Sequence, residues 1–406
     1  MKQRYYSLDV FRGATVAFMI LVNNHAGPQT FSPLLHAKWH GLTPTDLVFP
    51  FFLFAVGNAL AFVMPRFQEA GDGAFWKKVL KRATLIFLIG LFINWFPFLM
   101  WQDDQLVLKT WTWTTSEGEL RGVRILGVLQ RIALCYFFAS IIVYYGKARG
   151  AFWTGAAFLL VYWLLCLIGN PIDPYSLEGW FGTSIDRMLL GEAHMYRGEG
   201  IAFDPEGIVS TLPAIVQVIG GYLVGYYILN REKATTALPA GAVNQEGHPV
   251  FKTLVVLFIA SAVLLFLGYA WGLVFPINKK IWTSSYVAVT LGLAIALLSV
   301  LIYLIEIHNV RGAWTRFFDV FGKNPLFIYA LSGLIPRLLS IIRLSDGLNE
   351  TGEPTHITPW SWYYKYVAAQ VPGPPEFGSF FFGFSFLLLL WGIGYWMDKR
   401  KMYIRV

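Results

Sequence analysis

Residues 7–50 read SLDVFRGATVAFMILVNNHAGPQTFSPLLHAKWHGLTPTDLVFP. The stretch opens on an apolar run of helical length that carries Asp9 and Arg12 near its start and ends on Asn23 and Asn24. A polar connection follows, with three of the chain's seven histidines (His25, His36 and His40), and Asp46 stands just before the next apolar run. Ionisable residues inside an apolar span cost several kcal/mol unless paired or wet, so they mark candidate sites. The connection is thus either a plain loop or a polar site held against a membrane, and the rest of the chain decides which.

Of 406 residues, 56% are hydrophobic and only 14% are charged, with a mean hydropathy of +0.53. Soluble domains carry about 25% charged residues. Apolar runs of about 20 residues, the length that crosses a bilayer, recur along the whole chain. The expected fold is therefore an all-α polytopic integral membrane protein, with 1–406 forming one transmembrane domain. The net charge of +8 invites a nucleic-acid reading. Its basic residues instead cluster at alternate ends of the spans, so no nucleic-acid partner is expected and the lipid bilayer is the partner. Cys135 and Cys166 sit in apolar segments and read as buried small hydrophobes, not as a disulfide framework. Asp9 and Arg12 interrupt the first apolar core and no small-residue cleavage site follows, so the first helix is expected to be retained.

Hydropathy predicts about ten spans, at 7–26, 46–65, 79–100, 122–145, 151–169, 208–229, 252–275, 282–305, 317–341 and 377–397. With the N-terminus cytoplasmic, 18 Lys and Arg fall in inner segments, Lys2, Arg4 and Arg405 among them, and nine in outer ones. That is a positive-inside pattern with both termini cytoplasmic. Lys279 and Lys280 run against it from a very short outer loop. The 23–45 connection then faces outward, as do long loops at about 101–121, 170–207 and 342–376.

Polar residues inside the spans form stripes. Asp9, Arg12 and Asn23 share a face of the first helix, with about 16 Å of rise between Arg12 and Asn23. Arg124, Gln130 and Arg131 are expected on the fourth span, and Lys323 and Asn324 near the start of the ninth. Cations on several helices with few acids nearby suggest an anionic ligand. For the outer connection three readings stay open. His36 and His40 at i, i+4 could bind a metal with His25, although no acid or cysteine accompanies them and no metal is expected. A histidine could relay protons in a transporter. A histidine could serve as general base or acyl acceptor beside an amide that polarises a carbonyl.

SLDVFRG, VNN and LHAKWHGLTPTDLVFPFFLFAVGN together resemble the heparan-alpha-glucosaminide N-acetyltransferase family. RILGVLQRIALCYF (124–137), IDRMLLGEAHMYRGEGIAFDPEGIVSTLPAI (185–215) and FGKNPLFIY (321–329) extend the resemblance in the same order. It implies a transmembrane acetyltransferase, part of a wider acyltransferase superfamily, that moves an acetyl group from cytoplasmic acetyl-CoA to the amine of a glucosamine-type sugar outside. It places the catalytic histidine on His36 and its partner on Asn23, and it implies a homodimer. Related sugar O-acyltransferases carry a histidine eleven positions after the arginine of helix 1, where this chain has Asn23. A sugar O-acetyltransferase and an amino-sugar transporter are the alternatives. Donor phosphates are expected on Arg12, Lys323 and Arg131, with Gln130, Asn324 and Arg124 also binding the donor. The acceptor is expected on Asp186, Arg187, His194, Asp204 and Glu206. Asp46 either orients His36 or caps helix 2. The absence of a large N-terminal lumenal region suggests a bacterial inner-membrane, multi-pass protein.

Overall fold

A computed structural model of the chain describes residues 5–27, 29–236, 249–348, 352 and 354–404. Lys2, Arg4 and Arg405, three of the expected inner cations, lie outside the described residues. The body is helical: α1 (Tyr6–Asn23), α2 (Val48–Ala70), α3 (Asp72–Trp95), α4 (Val128–Gly169), α5 (Gly182–Leu190) and α6 (Thr211–Thr236). Then come α7 (Pro249–Gly272), α8 (Ser284–Ile302), α9 (Ala313–Lys323), α10 (Pro325–Leu339), α11 (Pro359–Tyr366) and α12 (Pro375–Lys399). Among the described residues six helices are long and apolar enough to cross a membrane, beginning at Pro44, Val128, Thr211, Phe251, Ser284 and Pro375. α1 and α3 match expected spans in position, and both carry charged residues.

Three local breaks refine the expected spans. α4 runs for 42 residues, and if straight would be about 63 Å long, twice the hydrocarbon thickness. It turns at Lys147 (φ 51°, ψ −164°), between the expected spans 122–145 and 151–169. Its start lies later than expected: 120–122 is a strand and the chain stays non-helical up to Gly127. Arg124 is therefore not on α4, and the expected helical stripe with Arg131 does not form. The third break divides the expected span 317–341 into α9 and α10 at Asn324 (φ −129°, ψ 51°). Pro325 causes it, since proline lacks the N–H for a continuous ladder and disfavours helical backbone at the residue before it.

Expecting helices alone missed three antiparallel hairpins: β1 (Leu99–Gln102) with β2 (Gln105–Leu108), β3 (Thr112–Thr114) with β4 (Leu120–Gly122), and β5 (Leu344–Leu348) with β6 (Pro354–Ile357). They decorate the expected loops at about 101–121 and 342–376. Asp103 and Asp104 both take positive φ (47° and 57°), as the two-residue turn joining β1 to β2 requires.

α1 packs against α9 through bare backbone. A Cβ on Gly13 would fall 1.8 Å from Phe318 O, and one on Gly322 would fall 2.4 Å from Asp9 O. Small residues allow such approach between membrane helices. Here it brings the Arg12 guanidinium onto Gly322 O, with Nε donating at 2.9 Å. The core gathers α1, α2, α6 and α8, while α7 and the second half of α4 leave Phe266 and Trp153 mostly exposed, as lipid-facing helices do.

Candidate active site

α1 ends against the loop that follows it at a cavity of about 280 Å3, walled by Asn23, His36, Asp46, Arg124, Glu206 and Lys279 among others. Asn23 is the last residue of α1, and its exposed carboxamide makes no hydrogen bond among the described residues. His36 Nδ1 donates to Asp46 Oδ1 at 2.7 Å. A carboxylate oxygen only accepts, so the imidazole hydrogen sits on Nδ1 and Nε2 keeps its lone pair. The other oxygen of Asp46 accepts from Thr43 N (3.0 Å), Thr43 Oγ1 (3.0 Å) and Ala37 N (3.1 Å). Asp46 does not cap α2 itself: its Oδ2 closes a capping box with Thr43 on the turn leading into α2, while Oδ1 holds the His36 ring.

Lys279 enters the same cavity. Its Nζ lies 3.0 Å from His36 Nδ1, 3.3 Å from Nε2 and 3.6 Å from Asp46 Oδ1. Burial pushes the Lys279 ammonium below the ordinary lysine range, and Asp46 and Glu206 offset this only in part. The loop that carries it is pinned to the histidine loop, with Gly41 N donating to Ile277 O at 2.8 Å. Buried Asn278 accepts from Lys280 N (2.7 Å) and Ile281 N (3.1 Å). Lys280 reaches back to Lys38 O at 2.6 Å and pairs with Glu199. Both lysines line this cavity, and both run against the expected positive-inside pattern. That contradiction was the sequence signal that could have found them.

The other two histidines of the loop bind a backbone carbonyl and a buried carboxamide. His25 Nδ1 donates to Val22 O at 2.9 Å, and His40 Nδ1 lies 3.3 Å from Asn278 Nδ2. Burial lowers the His40 pKa.

A second outer cavity of about 500 Å3 adjoins the first and shares Asn23, Arg124, Val128 and Tyr196 with it. Carboxamides line it: Asn23, Asn24, Asn94 and Gln130. The buried Nε2 of Gln130 has no hydrogen-bond partner among the described residues. Arg337 contributes a guanidinium whose Nη1 donates to Gly333 O at 2.8 Å.

At the other end of α1 lies a cavity of about 410 Å3, with three cations on its wall, Arg12, Arg82 and Lys323, beside Phe52, Ala55, Ile86 and Ile132. Arg12 Nη2 donates to Asp9 Oδ1 at 2.8 Å, and Lys323 pairs with Asp319 (2.8 Å) and Asp398 (2.9 Å). The Arg82 guanidinium lies 4.9 Å from the Tyr136 ring centre and makes no ion pair among the described residues. Sequence reasoning counted Arg82 only as an inner cation, and nothing in its spacing distinguishes it from its neighbours.

The remaining expected residues are placed differently from their expected roles. Arg131 lines none of these cavities; it is fully buried, donates to Gly207 O (2.9 Å) and Ser210 Oγ, and lies over the Trp282 ring. Gln130 lines the second outer cavity and not the inner one. Asn324 binds the C-terminal segment, donating to Met402 O (3.0 Å) and accepting from Ile404 N (2.8 Å). Tyr403 and Ile404 of that segment wall the inner cavity. Arg124 lies at the outer cavities, bidentate to Asp204 (3.1 and 2.6 Å) and paired with Glu206. Burial alone would raise the Glu206 pKa, but Arg124 and Arg131 hold it below the ordinary value.

Of the five expected acceptor residues only Glu206 lines one of these cavities. Asp204 is spent on Arg124, and Asp186 Oδ1 accepts from Ile208 N at 2.9 Å. Burial raises the Asp186 carboxyl to about 7. His194 donates to Val123 O at 2.7 Å, which fixes the extended stretch that carries Arg124. Arg187 is exposed on α5 and lines no cavity described above. Asp186 and Arg131 instead clamp the 204–210 turn from two sides, and that turn presents Glu206.

Similarity to known proteins places the chain in a family. Residues 4–242, more than half of the chain, match the family described as heparan-alpha-glucosaminide N-acetyltransferase, catalytic. The human protein called heparan-alpha-glucosaminide N-acetyltransferase is 26% identical over 382 residues, covering 80% of this chain and 52% of the relative. The mouse protein of that name is 25% identical over 375 residues, covering 80% and 53%. The chain spans about half the length of these relatives. On the family match, the chain belongs to the heparan-alpha-glucosaminide N-acetyltransferase catalytic family.

Proposed function

We propose that the protein is a transmembrane acetyltransferase that takes an acetyl group from acetyl-CoA on the cytoplasmic side and delivers it to the amine of a glucosamine-type sugar on the outer side. One observation carries the reading: a cation-lined cavity at Arg12 and a polar cavity at Asn23 and His36 lie at opposite ends of the same helix. Asn23 lies eleven positions beyond Arg12, a rise of about 16 Å. A slim, linear thioester arm is suited to that gap.

The nucleotide phosphates of the donor rest against Arg12, Arg82 and Lys323, whose positive field meets their charge. The arm passes the apolar wall formed by Phe52, Ala55 and Ile132. The thioester carbonyl meets the free carboxamide of Asn23, which donates to the oxygen as it gains negative charge. His36, oriented by Asp46, either accepts the acetyl group on Nε2 or removes a proton from the amine. The acceptor ring sits in the carboxamide-lined outer cavity, whose donors and acceptors suit sugar hydroxyls. In this reading the ten expected spans hold, both termini are cytoplasmic, and the membrane is a bacterial inner membrane. The positive-inside pattern and the turn at Lys147 support it.

The test incubates sealed vesicles with labelled acetyl-CoA and either glucosamine or an N-acetylated sugar outside. Acetylglucosamine as product supports the reading. Transfer only to the N-acetylated sugar would point to O-acetylation instead. Labelled sugar accumulating inside with no acetyl transfer would point to transport.

A further inference from the structure

We infer that Lys279 is a catalytic base of this site, taking the proton that the acceptor amine loses when it captures the acetyl group. The inference rests on the acetyltransferase reading above and adds a residue to it.

An amine that becomes an amide must shed a proton, and the shedding needs a base within hydrogen-bond reach of the attacking nitrogen. His36 cannot fill that role while its Nε2 holds or hands over the acetyl group. Nζ of Lys279 lies 3.3 Å from that nitrogen, beside the position from which any amine must attack. Other groups on the cavity wall are already engaged. Asp46 accepts from Ala37 and Thr43 besides His36, Glu206 is paired with Arg124, and Glu199 with Lys280. Lys279 is carried by the pinned Asn278 turn, and its ion pair to Asp46 Oδ1 is a long one at 3.6 Å. Burial favours its neutral, proton-accepting form.

The balance is as follows. The amine nitrogen bonds to the acyl carbon, and the bond from that carbon to sulfur, or to Nε2 if His36 was acetylated first, breaks. The electron pair stays on the leaving atom. The nitrogen's extra proton passes to Lys279 Nζ and then to outer water. The CoA thiolate takes its proton from the inner side. The charged groups that bear on Lys279 are His36, Asp46, Glu206 with Arg124, and Lys280 with Glu199.

The experiment compares wild type with Lys279→Ala and Lys279→Arg, each confirmed folded by its thermal transition, and measures acetylglucosamine formation. Loss of the base lowers kcat about 10²- to 10³-fold. Lys279→Arg keeps the positive charge beside Asp46 but cannot act as a base near neutral pH, and it stays as slow as Lys279→Ala. Tertiary amines, which cannot themselves be acetylated, restore turnover to Lys279→Ala in proportion to their basicity. The acid limb of the wild-type kcat profile is lost in that variant. A Lys279→Arg enzyme with wild-type turnover, or an Ala variant deaf to added amines, overturns the inference and makes Lys279 a counter-ion. Failure of the wild type to acetylate any amine refutes the parent reading instead, so the two failures are distinguishable.

Discussion

The two ends of α1 handle charge in opposite ways. Among the described residues the wall of the cavity at Arg12 carries three cations and no acid, although Arg12 pairs with Asp9, and Lys323 with Asp319 and Asp398, outside that wall. The first outer cavity carries Arg124, Lys279 and Lys280 against Asp46, Glu199 and Glu206 on the same wall. An unbalanced positive wall selects an anion by field and tolerates variation in position. A balanced wall with each side chain fixed by another is what directed proton and acyl chemistry needs. On the proposed function, the difference separates a donor-binding end from a reacting end within one helical bundle.

The largest effect that could break this comparison is at His36. Replacing it with Ala should lower acetyl transfer about 10³-fold while acetyl-CoA still binds, measured by labelled transfer beside equilibrium binding. If donor binding fell with turnover, the two ends would not be separable. Asn23→Ala should come next, with kcat down about 10²-fold through loss of an oxyanion donor and little change in donor affinity. At the inner end, Arg82→Gln should raise KM for acetyl-CoA about 10-fold, near 1.4 kcal/mol, and leave kcat unchanged. Acetyl-pantetheine, which lacks the nucleotide, should not notice the Arg82 change; equal sensitivity to both donors would remove Arg82 from phosphate binding.

The smallest effect concerns the support of the reacting end. Asp186 has its carboxyl raised to about 7 from 3.8, so the folded state binds more protons between those values. Stability should therefore fall as pH rises from about 4 through 7. Asp186→Asn can still accept from Ile208 N and should flatten that fall, leaving stability at pH 4 unchanged. Thermal transitions across the pH range check it; a variant with the wild-type slope would assign the dependence to other groups.

Much of the helical plan was legible because bilayer physics writes apolar spans into composition. Spans of about 20 apolar residues and alternating basic ends are local properties, and so is the face shared by Arg12 and Asn23. The same locality explains the misplacements. Arg124 and Arg131 look like one helical stripe, but the helix begins only at Val128, and a salt bridge to residues about 80 positions away claims Arg124. Asp186 and His194 look like sugar ligands because they are polar and outward. Their partners, Ile208 N and Val123 O, are backbone atoms that no pattern advertises.

The sequence by itself determined a mostly helical chain with apolar spans of membrane-crossing length and, by resemblance, its family. Only the tertiary structure decided that Asp46 serves His36 and the capping box before α2 at once, that Lys279 joins them from more than 200 residues away, and that Arg82 belongs with Arg12 and Lys323. The physical reason is that span and orientation come from short-range hydropathy. A site comes from which helices touch, and that is set by glycine contacts such as Gly13 and Gly322 and by turns such as the one at Asn324.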